Sequence, residues 1–107
     1  METICIKVKI KKGALDAVHK WFQTLNERSD EVMQTLENED VAVESVFLDR
    51  QGEEDYLIYY MKAKSIQKAR EVALNSSLDI DKYHKKCFKE YCEDRIEIKS
   101  LIDFERL

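Results

Sequence analysis

One segment of the chain, residues 55–63, has an unusual pattern of apolar positions. Its two alternating rows are both apolar or aromatic, and they comprise Tyr56, Ile58 and Tyr60 in one row and Leu57, Tyr59 and Met61 in the other. A strand with one face in water alternates apolar with polar residues. The pattern therefore predicts a strand covered on both faces, by helices of its own chain on one side and by a second copy of the protein on the other.

The preceding segments predict two strands and one helix. Residues 3–10 alternate with period two, which indicates a strand whose apolar face carries Ile4, Ile6, Val8 and Ile10. Residues 14–38 place their apolar side chains in one arc, with Ser29 as a polar exception, as in a single long amphipathic helix with Gly13 as its N-cap. Residues 41–49 form the next strand.

The rest of the chain predicts a hairpin, a broken helical segment and a last strand. Gly52 lies in the turn before residues 55–63, and Ser65 is an N-cap for a helix over 66–75. Residues 75–77 interrupt this helix, and a further helix spans 80–93, with Asp79 as a cap. The last strand, 95–104, is expected to place on one face Ile96, Ile98, Ile102 and Phe104.

The order of elements is β-α-β-β-α-β, with the second helical segment broken in two. It favours an α+β fold, a ferredoxin-like antiparallel sheet with strands one and three central and the helices on one face. We expect one domain over residues 1–107. The helix-free face of the sheet is then expected to carry Cys5, Lys7, Lys9, Glu97, Lys99 and Leu101.

Composition and charge narrow the classes of function. With 18 basic against 22 acidic side chains, the net charge of −4 argues against binding to nucleic-acid backbones. The third strand also has no glycine and no arginine, unlike RNA-recognition strands. No apolar run is long enough for a membrane span, and no export signal begins the sequence. The three cysteines, Cys5, Cys87 and Cys92, are therefore expected to be reduced thiols in the cytoplasm.

Several stretches resemble a known group of proteins: Asp55–Ala63, Ile80–His84, Leu25–Arg28, Glu44–Ser45 and Phe47–Leu48. They are similar to an uncharacterised bacterial family within the dimeric α/β-barrel superfamily, which includes the antibiotic-biosynthesis-monooxygenase-like proteins. The resemblance implies a homodimer formed by sheet-to-sheet packing. The superfamily contains oxygenases, haem-degrading enzymes, isomerases and members without known activity, and the resemblance assigns no catalytic residue.

His84 is the strongest candidate for a catalytic or ligand-binding residue. In the helix over 80–93 it lies within an apolar arc formed by Ile80, Tyr83, Cys87, Phe88 and Tyr91. A histidine directed at the sheet, among tyrosines and beside a thiol, is typical of a proton shuttle or of a haem or metal ligand. It is equally typical of a buried histidine that bonds a tyrosine hydroxyl or a backbone carbonyl. Haem-degrading relatives use a histidine of the second helix, which the resemblance makes relevant to His84.

The sequence predicts a ligand cleft between helices and sheet, lined by Tyr56, Tyr60, Tyr83, His84 and Cys87. The tyrosines could also be core or dimer-interface packing. A metal site is not expected, because no cluster of paired histidines and cysteines supports one. The leading hypothesis is a cytoplasmic homodimer that binds a small organic molecule. The alternatives are a monooxygenase-like or haem-degrading enzyme, and an interaction protein without a small-molecule site.

Overall fold

A computed structural model describes residues 1–106. Its four strands are β1 (Glu2–Ile10), β2 (Val41–Gln51), β3 (Glu54–Ala63) and β4 (Cys92–Ile98). They form one antiparallel sheet in the order β2-β3-β1-β4, so the first and third strands are central. β2 and β3 form a hairpin whose turn includes Gly52 at a φ of 65°. The ferredoxin-like α+β fold predicted from the sequence is confirmed.

Four helices cover one face of the sheet: α1 (Leu15–Glu27), α2 (Ser29–Glu39), α3 (Ile66–Asn75) and α4 (Asp79–Tyr91). The main core lies between them and the sheet and contains Val8, Leu57, Val18 and the fully buried Trp21. As predicted, Ser65 caps α3, its hydroxyl accepting a hydrogen bond from the Lys68 amide at 3.2 Å. Among the described residues, no helix has the length and apolar character needed to cross a membrane.

The single helix predicted over residues 14–38 is wrong, because the chain breaks at Arg28 into α1 and α2. The Arg28 guanidinium binds the Glu31 carboxylate through two hydrogen bonds of 2.6 and 2.7 Å. Acidic residues favour the first turn of a helix, so Asp30 and Glu31 mark a new N-terminus. Ser29, the polar exception in the predicted arc, is where α2 begins. Gly13 has a φ of 82° and precedes the N-cap of α1, which is Ala14 rather than Gly13.

The last strand also differs from the prediction, since β4 begins at Cys92 and ends at Ile98. Its register against β1 shifts between Lys7 and Lys9, and Asp94 has a φ of 54°. Such a bulge moves the following residues to the opposite face. Ile96 and Ile98 therefore lie opposite Lys7 and Cys5, on the helix-free face. Glu97 lies opposite Ile6 on the helix side, which reverses the predicted assignment of both rows.

Residues 99–106 form an irregular tail, so Lys99, Leu101, Ile102 and Phe104 are outside the sheet. The tail is held by Lys62, whose amine binds Asp103 at 2.9 Å and Glu105 at 3.1 Å. Lys62 is only 6% exposed, so these two carboxylates compensate a charge that is almost removed from water.

The helix-free face carries an apolar surface. Tyr56, Ile58 and Tyr60 of β3 are half-buried, whereas Phe47 of β2 and Ile96 of β4 are 58% and 56% exposed. We use the name sheet patch for Val43, Phe47, Ile58, Tyr60, Ile96 and Ile98.

Candidate functional site

The five residues predicted to line one cleft occupy three different places. His84 lines a cavity between the helices and the sheet, which we call the inner cavity, and Tyr60 borders it. Tyr60 also lines a pocket beneath the C-terminal tail, on the helix-free face. Tyr56 is on that same face, where its hydroxyl bonds Glu54 and Lys7 lies 4.3 Å from its ring centre. Strand alternation separates Tyr56 from the helix side, so its predicted place beside His84 is wrong.

Tyr83 and Cys87 line a separate pocket with Trp21 and Tyr91. They lie on α4 close to His84 but at a different angle around the helix axis. The structure therefore does not bring Tyr83 or Cys87 into the inner cavity. The three cysteines are free, and both Cys87 and Cys92 are buried.

The imidazole of His84 is held by Trp21. The indole Nε1 donates a hydrogen bond to His84 Nδ1 at 3.2 Å, and the two ring centres are 5.2 Å apart. Nε2 makes no hydrogen bond with any residue in the described part of the chain, and the imidazole is partly exposed. The histidine thus has one nitrogen fixed and the other available, the arrangement of a histidine that meets a ligand.

The hydrogen bond also determines the protonation of His84. An indole N–H can only donate, so Nδ1 must be the acceptor and the proton of the neutral ring is on Nε2. Burial lowers the pKa of His84 to about 4, against the opposing effect of the Asp81 charge. At neutral pH the ring is therefore neutral, and its Nε2–H is a donor that no residue in the described part of the chain accepts from. Coordination of a metal or haem through Nε2 would require a proton on Nδ1, directed at the indole N–H.

Tyr59 is not among the five residues predicted to line the cleft. Its ring lies 6.1 Å from that of His84, and it lines the same cavity. Its hydroxyl is buried without a hydrogen-bond partner in residues 1–106. Burial is the main cause that raises its pKa, so it stays protonated. The available signal was its position in the helix-facing row of β3, where Leu57 and Met61 are its apolar neighbours.

Three carboxylates also line the inner cavity: Glu39 at the end of α2, Glu44 on β2 and Asp81 on α4. Burial, together with the charges of Glu44 and Asp81, raises the pKa of Glu39 to about 7. Burial and the Asp81 charge raise the pKa of Glu44 as well, although part of its side chain reaches solvent. A group that exchanges a proton near neutral pH is a candidate acid or base.

The inner cavity has a volume of about 210 Å³ and is apolar on most of its wall. Its apolar lining comprises Ile4, Ile6, Leu25, Val32, Met61 and Ile80. This volume is below the roughly 300–1,000 Å³ of pockets for drug-sized ligands. A few convergent polar groups in an apolar recess are the usual composition of a small-molecule site. Within residues 1–106, no group of three or more His, Cys, Asp and Glu side chains could hold a metal ion.

Comparison with solved structures supports the fold. The L-rhamnose mutarotase of Formosa agariphila superimposes with a TM-score of 0.68 at 19% identity, covering 98% of this chain and 100% of the mutarotase chain. A de novo designed protein with the ferredoxin fold superimposes with a TM-score of 0.59 at 15% identity, covering 100% and 94% of the two chains. At these identities the likeness concerns the fold alone.

Comparison of sequences gives the family. A search among curated proteins found no match. The sequence profile of a family of unknown function, DUF6176, matches residues 1–107, so the chain belongs to that family.

Proposed function

We propose that this protein binds a small, neutral, hydroxylated molecule in the inner cavity. The observation that carries the proposal is that Tyr59 and His84 both line this cavity, while the Tyr59 hydroxyl and His84 Nε2 have no hydrogen-bond partner in residues 1–106. A buried polar group left without a partner, here the Tyr59 hydroxyl, costs about 1–3 kcal/mol. A ligand that accepts hydrogen bonds from both groups recovers this free energy.

The charges around the cavity favour a neutral ligand. Three carboxylates border it, against one lysine, Lys85, among the described lining residues. An anionic ligand would be repelled, because like charges at short range in a partly buried site interact strongly. A hydroxylated molecule can donate to Glu44 and Asp81 while it accepts from His84 and Tyr59.

The size of the cavity supports a ligand no larger than a monosaccharide or a similar polyol. Its 210 Å³ corresponds to about seven water molecules at ~30 Å³ each. The solved neighbour from Formosa agariphila is named for the monosaccharide L-rhamnose. A monosaccharide is within this range of size, so the test of the proposal includes that class.

The test is a panel of monosaccharides and polyols, screened by thermal shift and by NMR of the labelled protein. We expect at least one member to move the amide signals of Tyr59 and His84. The His84→Gln variant should weaken that binding by about tenfold or more, as expected when one hydrogen bond of about 1.4 kcal/mol is lost. Glu37→Gln changes an exposed residue of α2 that does not line the cavity, and it is the control. A panel that leaves both signals unmoved at millimolar concentration contradicts the proposal.

A second candidate is an acid–base isomerase of sugars, which the raised pKa of Glu39 favours. In mutarotation a base takes the proton of the anomeric hydroxyl, and an acid gives a proton to the ring oxygen as the C–O bond breaks. Reclosure from the other face reverses both transfers, so no oxidant or cofactor is consumed. Glu39, with a pKa of about 7, can take either role near neutral pH.

Exchange NMR on a sugar that binds would test this activity. Glu39→Gln should slow anomer exchange by about 10²-fold, the lower end for the loss of a general acid–base group. Glu37→Gln, on the exposed side of the same helix, should leave the rate unchanged. Equal rates in both variants would leave a binding protein without this activity.

The monooxygenase-like or haem-degrading alternative has less support. A haem ligand needs an unprotonated Nε2, and the bond from Trp21 Nε1 to His84 Nδ1 favours the opposite tautomer. A haem titration should accordingly give no Soret change that depends on His84.

We also propose a homodimer that buries the sheet patch against a second copy. Large apolar side chains there are more than half exposed, including Phe47 and Ile96, and the tail adds Leu101 and Phe104 at 88% and 87%. Contiguous apolar surface of this kind typically marks a protein interface. Three free thiols fit a reducing compartment such as the cytoplasm. A dimer for which the whole panel fails to bind would favour the interaction-protein alternative.

A further inference from the structure

A second hollow adjoins the inner cavity. This outer groove has a volume of about 390 Å³ and lies between α1, α2 and the edge strand β2. Leu25, Val32, Glu44 and His84 line both hollows. The two hollows therefore adjoin at the residues that carry the polar chemistry of the site.

The walls of both hollows are mainly apolar, but they differ in the number of charged groups. Beyond the shared residues, the outer groove is lined mainly by apolar side chains, among them Phe22, Met33, Leu36, Val46 and Leu48. Among its described lining residues, Glu44 at the junction is the one carboxylate, and there is no lysine or arginine. Met33 is 63% exposed and Leu48 is 40% exposed, so apolar surface along the groove faces water.

We infer that the ligand is amphipathic, with a hydroxylated head in the inner cavity and an apolar chain or ring in the outer groove. This inference rests on the proposed function, which supplies the head. The occupant of the groove follows from continuity, because His84 and Glu44 border both hollows. Beyond this junction the inner cavity adds the carboxylates of Glu39 and Asp81, whereas the outer groove adds none among its described lining residues. An apolar partner that filled the groove alone would leave His84 Nε2 and the Tyr59 hydroxyl without partners.

The three methionines of the chain provide reporters for a test. Met61 lines the inner cavity, Met33 lines the outer groove, and Met1 lines neither. Their methyl signals in the intact protein can be followed during titration with propane-, pentane- and octane-1,2-diol. Propane-1,2-diol should move the Met61 signal alone, and octane-1,2-diol should move Met61 and Met33, with Met1 unchanged. Affinity should rise about two- to fourfold for each added methylene.

A charge in the outer groove should remove the gain in affinity that a longer alkyl chain of the diol provides. Met33→Glu places a carboxylate on an exposed position, so the fold should be retained. This variant should bind propane-1,2-diol as the native protein does and should lose the dependence on chain length. Leu74→Glu is the control, since Leu74 is 74% exposed on α3 and lines neither hollow.

Four results would overturn the inference. If short diols move Met61 but longer chains bind no more tightly, the head site stands and the chain site is wrong. If octan-1-ol and octane-1,2-diol bind equally, and neither moves Met61, the groove is a general apolar surface. If Met33→Glu changes the mass in light scattering, a second copy occupies the groove. If no diol moves either methionine, the inference fails, and the monosaccharide panel decides the proposed function by itself.

Discussion

The indole Nε1 of Trp21 donates a hydrogen bond to Nδ1 of His84 at 3.2 Å, between α1 and α4 and across 63 positions of sequence. Trp21 is 1% exposed, so its ring has little freedom to move. The bond orients the imidazole and favours the tautomer with the proton on Nε2. Trp21 thereby acts as a positioning residue, and His84 as a hydrogen-bond donor to the inner cavity.

Replacement of Trp21 by phenylalanine should raise the pKa of His84. A hydrogen bond to the neutral form of a histidine opposes its protonation, and this bond is lost in the variant. With a hydrogen bond worth about 0.5–1.5 kcal/mol, the pKa should rise by about 0.5–1 from its value of about 4. NMR titration of the imidazole signals measures it, with His19 on the exposed side of α1 as the reference signal. An unchanged pKa of His84 would show that burial alone is responsible.

The unfolding free energy should depend on pH through two opposing groups, His84 and Glu39. His84 has a folded-state pKa lowered from 6.5 to about 4, so stability is lost as the pH falls from about 6.5 towards 4. Glu39 has a folded-state pKa raised from 4.5 to about 7, so stability is lost as the pH rises from about 4.5 to 7. Between about pH 4.5 and 6.5 the two groups change the unfolding free energy in opposite directions. A variant that lacks one of them should show the pH dependence of the other group.

Glu39→Gln should therefore be more stable than the native protein above pH 7 and equally stable near pH 4. After a discount for the partial exposure of Glu39, the gain is on the order of 1–2 kcal/mol. Chemical denaturation at several pH values measures it, and Glu37→Gln should show no such gain. In His84→Gln the unfolding free energy should fall as the pH rises, because the contribution of Glu39 remains. If the unfolding free energies of Glu39→Gln and of the native protein differ by the same amount at every pH, the raised pKa of Glu39 is contradicted.

Tyr59→Phe should gain stability while it loses ligand affinity. The hydroxyl is buried without a partner in residues 1–106, and its removal ends an unfavourable desolvation of about 1 kcal/mol. For a chain of this size the melting temperature should rise by roughly 4–8 °C. Tyr91→Phe, outside both hollows, should not change affinity for a ligand of the inner cavity. A destabilised Tyr59→Phe protein would mean that the hydroxyl has a partner in solution.

Light scattering at micromolar concentration should give about twice the chain mass of 12.7 kDa. Ile58→Asp places a charge in the centre of the sheet patch and should give a monomer or an aggregate, since an unpaired carboxylate is costly to bury. Leu74→Asp, on an exposed position of α3, should remain a dimer. A native protein that is monomeric at this concentration would contradict the dimer.

The periodicity of the sequence was sufficient for the order of elements and for the topology of the sheet. The row Ile4, Ile6, Val8 and Ile10, the turn at Gly52 and the cap at Ser65 all have local physical causes. The direction of His84 towards the sheet also follows from its angular position on one helix. These features depend on neighbours in sequence, so the sequence by itself determined them.

Only the tertiary structure decided the composition of the site. The Trp21–His84 hydrogen bond, the unpartnered Tyr59 hydroxyl and the raised pKa of Glu39 depend on side chains that are distant in sequence. The sequence pattern also did not predict the bulge at Asp94, which moves Ile96 to the helix-free face. One residue with positive φ there reverses the facing of all the following residues of β4. Periodicity records which side of an element is apolar, but burial, tautomer and partner are set by what the other elements bring to that side.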